Sequence, residues 1–180
     1  MGAASRRVRD DIDPAERARD IALRVLAGAP RSAAQLRAAL LSRDVDERVA
    51  DEVIERYREV GLIDDAALAG AIARTRHAER GQSRRVIAAE LRRKGFEADH
   101  VDAALGQITD EDERGSAEAL ARRRWDALSS VPREARMRRV AAFLGRKGYP
   151  SGEAYGLVRA LERADIVEDR EVCPAEEELT

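Results

Sequence analysis

Ile87-Ala88-Ala89-Glu90-Leu91-Arg92-Arg93-Lys94-Gly95-Phe96 reads as the second half of a helix, its stop, and the first residue beyond. Ile87 and Leu91 fall on one helical face, and Arg92, Arg93 and Lys94 put cations at the negative end of the helix dipole. Gly95 can take a left-handed turn without a Cβ penalty. The pattern recurs on both sides. Upstream, Leu36 and Leu40 precede Val45; downstream, Val140 and Leu144 precede Gly148 and Tyr149. Anchored on Val45, Phe96 and Tyr149, the copies lie 51 and 53 residues apart. Three further columns are apolar in every copy: Val53, Ala104 and Leu157; Ile54, Leu105 and Val158; Tyr57, Ile108 and Leu161. At 44% apolar composition, one column is apolar three times by chance roughly one time in ten, so six in register argue for true repetition. The expected fold is all-α, an elongated tandem array of three three-helix repeats stacked end to end.

Punctuation sets the boundaries. Residues 1–13 are polar and expected to be disordered. The first repeat, 14–60, opens at Pro14, continues at Ser32 with Gln35 placed for a capping box, and starts its third helix after Asp46. The second repeat, 61–109, opens at Gly61-Leu62-Ile63-Asp64-Asp65, where Gly61 ends one helix and the aspartates cap the next. Its second helix follows Ser83 and runs to Lys94, and its third runs from Asp99 to Ile108. The third repeat, 110–162, takes a helix from Asp110 to about Leu128, then Pro132 to Lys147, then Ser151 to about Ala164. Residues 163–180 form an acidic tail. Gly95 and Gly148 share one repeat position; Asp44 holds it in the first repeat, so that turn is expected to differ or to be strained.

Composition excludes more chemistry than it suggests. Every apolar stretch is broken by charge, so no membrane span or signal peptide is expected, and the chain is read as cytoplasmic. The single cysteine, Cys173, allows no internal disulfide and no thiolate cluster. His77 and His100 are far apart among charged neighbours and read as solvated. Asp64-Asp65 reads as a cap before it reads as an ion site. No phosphate loop or nucleophile signature appears, so no enzyme, cofactor or metal is expected.

Charge is more informative. The chain carries a net −2, but its last 18 residues hold seven acidic and two basic side chains, which leaves the preceding body mildly basic. Arg43, Lys94 and Lys147 occupy one repeat column, with Ser42, Arg93 and Arg146 in the column before it. The helix dipole explains both columns; a row of cations facing a polyanion or an acidic groove explains them equally well. Arg84-Arg85 stands at a helix start, where the dipole disfavours positive charge, so a binding role gains there. Arg122-Arg123-Arg124 is a third basic group. Aromatics are few, so single-strand binding would be mainly electrostatic.

Taken in order, Gly61-Leu62-Ile63-Asp64-Asp65, then Ala69, Arg74 and Arg76, then residues 87–96, and finally Phe143-Leu144-Gly145-Arg146-Lys147-Gly148-Tyr149, the chain resembles the RecX regulators of the bacterial recombinase RecA over about residues 18–162. The resemblance implies a curved row of three-helix units in the groove of the RecA nucleoprotein filament. It also implies inhibition of ATP hydrolysis, filament extension and strand exchange, without an active site. The filament- or DNA-binding candidates are then Arg84, Arg85, Arg92, Arg93, Lys94, Arg122, Arg123, Arg146 and Lys147, with Gly61, Leu62, Asp64, Asp65 and Arg74 as the family signature. The expected partners are the RecA filament and single- or double-stranded DNA, met by a monomer. Leu68 stands where the family usually has an aromatic, and the acidic tail has no counterpart in the family pattern; it could fold over the basic edge or repel DNA. The alternative function is a direct DNA-binding regulator built from helix-turn-helix-like units, and a third reading is a helical adaptor.

Overall fold

The computed structural model describes residues 13–172, with side chains to Val167. The expectations for the N-terminal segment before Asp13 and for the tail from Cys173 onward lie outside the described residues. Among the described residues the chain is all-α, with nine helices and no strand: α1 (Pro14–Gly28), α2 (Ala33–Leu41), α3 (Glu47–Glu59), α4 (Asp65–Ala78), α5 (Arg84–Arg93), α6 (Ala98–Leu105), α7 (Asp110–Asp126), α8 (Arg133–Lys147) and α9 (Ser151–Val172). They fall into two compact units. One holds the described residues up to Ala73 together with Ala88–Gln107; the other holds Arg74–Ile87 and the described residues from Ile108 onward. The division runs through α4 and α5.

The helix starts follow from their caps. Asp13 accepts the Ala15 amide ahead of Pro14, and Asp46 accepts the Arg48 amide at 2.9 Å. Ser32 and Gln35 close the reciprocal box, Gln35 N to Ser32 Oγ at 3.1 Å and Ser32 N to Gln35 Oε1 at 3.3 Å. A second box, Thr109 with Asp112, is hidden in the sequence by the acidic run around it.

The apolar columns are the core. Leu36, Ile87 and Val140 are fully buried, as are Leu40, Leu91 and Leu144, and the anchors Val45, Phe96 and Tyr149 are buried behind them. Each fully buried Leu or Ile contributes about 1.5–3 kcal/mol of transfer free energy. In the first unit, Leu36, Leu40, Val53, Ile54 and Tyr57 form one cluster with Ala18 and Ala22. In the second, Trp125, Val140, Leu144, Tyr149 and Val158 form another with Ala117 and Ala121. The pairs Ala18/Ala22, Ala69/Ala73 and Ala117/Ala121 are all buried, one pair in the first helix of each repeat. An alanine every fourth residue lets these helices approach their neighbours closely, a signal that a search for large apolar side chains passes over.

The turn after the middle helix is the same in all three repeats. The amide of each anchor returns to the helix carbonyl five residues earlier: Val45 to Leu40 at 3.3 Å, Phe96 to Leu91 at 3.2 Å and Tyr149 to Leu144 at 3.2 Å. The residue before the anchor is left-handed each time, with φ of 80° at Gly95, 99° at Gly148 and 58° at Asp44. The first turn is therefore strained rather than different.

One boundary differs from expectation. α9 does not stop near Ala164 but runs to Val172, because no Gly or Pro lies between Ala164 and Pro174 and because Asp165 is tied into the third repeat. The start of the acidic segment is thus helix.

Asp44→Gly should raise stability by about 0.5 kcal/mol, since relief of the left-handed strain slightly outweighs the extra backbone entropy of glycine. Gly95→Ala should lower it by at least about 1 kcal/mol, because the new Cβ would also stand 2.5 Å from the Ala34 Cβ. Urea unfolding midpoints of the two variants check both signs.

Candidate functional site

Seven of the nine candidate cations lie at two joints, each within one compact unit, while Arg122 and Arg123 lie on α7. In the first unit, the C-terminal end of α5 meets the N-terminal end of α2: Ser32 Oγ donates to the Lys94 carbonyl at 2.6 Å. Alongside, the Ala33 amide donates to Asp65 Oδ1 at 3.0 Å. In the second unit, the C-terminal end of α8 meets the N-terminal end of α5 in the same way. There the Ser83 amide donates to the Lys147 carbonyl at 2.9 Å, and the Arg84 amide donates to Glu113 Oε1 at 2.8 Å. Each joint therefore sets a helix start against a helix-end carbonyl, which accepts the Ser32 hydroxyl in one and the Ser83 amide in the other, while a carboxylate from the following repeat takes the next amide.

This geometry decides the glycines. A Cβ on Gly148 would lie 2.2 Å from Ser83 Oγ and 2.4 Å from Val86, so the joint requires glycine for contact as well as for φ. Among the described residues, no such joint forms at the Arg43 end in the first repeat. The Arg43 carbonyl takes Arg17 Nη2 at 3.1 Å instead, and Asp44 is exposed.

The signature residues divide in function. Gly61 is left-handed at φ 71°, and the Leu62 and Ile63 amides both return to the Tyr57 carbonyl. Ile63 is buried, whereas Leu62 is 53% exposed. Asp64 caps its own helix through the Ala67 amide at 2.8 Å. Asp65 does not: it is buried and caps α2, 3.7 Å from Arg58. Arg74 lies exposed on α4.

A second polar cluster goes unread in the sequence. Asp165 Oδ2 accepts from Trp125 Nε1 at 2.8 Å and from Arg136 Nη1 at 2.7 Å. Arg136 also donates to the Trp125 carbonyl at 2.9 Å and lies 4.0 Å from the centre of the indole ring. Asp165 thus fastens α9 to α7 and α8, and only its position in an acid-rich segment made it look like tail. The buried phenols Tyr57 and Tyr149 donate to the Arg19 and Gly81 carbonyls, and burial pushes both pKa values up. Among the described residues no three His, Cys, Asp or Glu side chains come together as a metal site, and no helix is long and apolar enough to cross a membrane.

Three family models match the chain in tandem: the first RecX three-helix domain over residues 18–56, the second over 64–105 and the third over 111–156. The chain belongs to the RecX family. "Regulatory protein RecX" of Streptomyces coelicolor is 47% identical over 147 residues, covering 82% of this chain and 78% of that protein. The protein of the same name from Thermobifida fusca is 45% identical over 152 residues, covering 84% and 82%. The crystal structure of RecX from Lactobacillus salivarius superimposes with a TM-score of 0.72 at 22% identity, over 83% of this chain and 97% of that one.

In this RecX chain the nine candidate cations separate into two groups. Four belong to the fold. Arg84 pairs with Glu113 at 2.7 Å and with Asp110; the carboxylates answer the helix-start charge that suggested a binding role. Arg85 donates to the Gly148 carbonyl at 3.1 Å, Lys147 to the Arg80 carbonyl at 2.5 Å, and Lys94 faces Glu90 at 3.9 Å. The other five, Arg92, Arg93, Arg122, Arg123 and Arg146, are exposed and have no partner among the described residues. In the second unit, Arg124 from α7 and Lys147 from α8 both lie over the half-buried Phe143 ring, at 5.8 and 5.6 Å. This brings further positive charge beside Arg123 and Arg146.

Asp65→Ala should destabilise the chain by about 1–3 kcal/mol, since it strands a helix-start amide in a buried joint. Asp64→Ala, which removes an exposed cap, should cost about 1 kcal/mol; the order of the two urea midpoints tests the division of labour. The hydroxyl and amide of Thr109 hold the Asp112 carboxyl below the usual carboxylate range. That stabilisation is complete above the unfolded value near 4 and is lost as pH falls through the lower folded value. Asp112→Ala should therefore lower the thermal midpoint at pH 7 and flatten its fall in acid.

Proposed function

We propose that this chain is a negative regulator of the RecA recombinase, acting in the cytoplasm as a monomer that binds the RecA nucleoprotein filament and inhibits its ATP hydrolysis, extension and strand exchange. The observation that carries this reading is the separation of the cations. In a chain of net −2, five exposed arginines have no partner among the described residues, while Arg84, Arg85 and Lys147 hold the repeats together. Exposed guanidinium groups present planar, paired donors that suit carboxylates and phosphates, the two anionic groups a nucleoprotein filament offers. RecX relatives named as regulatory proteins support a role without catalysis. The same arginines suit phosphates alone, which keeps a direct DNA-binding regulator as the second reading.

Single-strand-dependent ATP hydrolysis by a RecA recombinase should fall when titrated with this chain, at concentrations too low to coat the free strand. Combining Arg122→Ala, Arg123→Ala and Arg146→Ala should raise the half-inhibitory concentration at least about tenfold and leave the unfolding midpoint in place. Undiminished hydrolysis, with strand binding that weakens with salt by about 0.7 in log–log slope per phosphate contact, would replace filament regulation by DNA binding.

A further inference from the structure

The joint that links the repeats has an incoming half, the end of a middle helix with its left-handed turn, and a receiving half, the start of the preceding middle helix. Among the described residues it forms twice, which leaves one half without a counterpart in the first and in the third repeat: an incoming half at the end of α2 and a receiving half at the start of α8. We infer that both are altered so that a second copy of this chain cannot add head to tail.

At the incoming half, Asp44 keeps the left-handed φ of its glycine counterparts but carries a Cβ. At the two formed joints a Cβ in that place would lie 2.5 Å from Ala34 or 2.2 Å from Ser83. The Arg43 carbonyl, counterpart of the Lys94 and Lys147 carbonyls, is already bonded to Arg17. The end of α2 therefore presents a clash where a contact is needed and an acceptor partly used.

The receiving half is closed by different means. The position held by Ser32 and Ser83 is Arg136 in the third repeat, and α8 begins one turn earlier, at Arg133. Where the Ser83 amide reaches the Lys147 carbonyl of another helix, the Arg136 amide bonds to the Pro132 carbonyl of its own at 2.9 Å. The helix has supplied its own extra turn in place of an incoming end. Pro132, at the N-cap, has no amide hydrogen and makes no side-chain cap. The Arg136 side chain is held on Asp165 and Trp125. Terminal units of repeat arrays need an altered outer face to stay discrete; here the alterations fall on the atoms that make the joint.

Two variants of the full chain reopen one end each. Arg17→Ala with Asp44→Gly opens the incoming half. Pro132→Glu, Glu134→Gly, Ala135→Gln and Arg136→Ser, with Arg133 kept, write the sequence of residues 79–83 into 132–136 and open the receiving half. By sedimentation velocity, the native chain and each variant alone should stay monomeric, and an equimolar mixture should form a 1:1 complex. A mixture that stays monomeric, with both partners folded by circular dichroism, overturns the inference, as does self-association of the native chain. Should the second variant fail to fold without Arg136, Gly148→Asp places the stop inside a formed joint. Exchange of the Ser83 amide with solvent should then accelerate at least about tenfold, and unchanged protection would overturn the inference. Self-association of the native chain would also remove the monomer from the proposed function, but no outcome bears on RecA inhibition, which is read by ATP hydrolysis and fails separately.

Discussion

Everything in this chain depends on one meeting of opposite helix ends. A helix start carries amides with no partner and a partial positive charge, and a helix end carries carbonyls and a partial negative charge. Ser32 with Lys94 and Ser83 with Lys147 bring these ends together. A carboxylate from the next repeat, Asp65 in one joint and Glu113 in the other, takes the amide beside them. Helices of 9 and 10 residues, such as α2 and α5, are too short to be stable alone in water, so the satisfaction of their ends is part of what makes them helices. The glycines, the serines and the second aspartate of the signature all follow from this contact.

The repeat was legible because its core obeys local rules. Leu36, Ile87 and Val140, or Leu40, Leu91 and Leu144, show their shared face through helical spacing alone. Ser32 with Gln35 shows a cap within four residues. What could not be read was anything that needs a partner far along the chain. Nothing near Glu113 says that it caps a helix 29 residues earlier, and nothing near Asp165 says that it fastens an indole 40 residues back. The same limit affected the charge pattern. Arg84 at a helix start looked like an unexplained cation only because the carboxylates that answer it belong to another helix.

Separating structural from free cations changes what the basic character of the body means. The columns that repeat most regularly, ending in Lys94 and Lys147, are those whose backbone builds the joints. Of the five free cations, Arg93 and Arg146 share a repeat column while Arg122 and Arg123 stand outside both columns, and all five are exposed without a partner among the described residues. Periodicity alone therefore does not sort the cations of this chain; what separates them is whether a carbonyl or a carboxylate answers the side chain.

The two lysines carry a consequence of their own. Of 33 basic residues only Lys94 and Lys147 are not arginine, and both stand where a helix end enters a joint; in the first repeat, which enters none among the described residues, the position is Arg43. A compact ammonium on a flexible stem fits beside a close backbone contact where a planar guanidinium fits poorly. Apart from the amino terminus, the primary amines of the whole molecule are thus confined to its two internal seams. An acylating reagent selective for amines would read the opening and closing of those seams, one lysine for each, against a background of arginines that it leaves untouched.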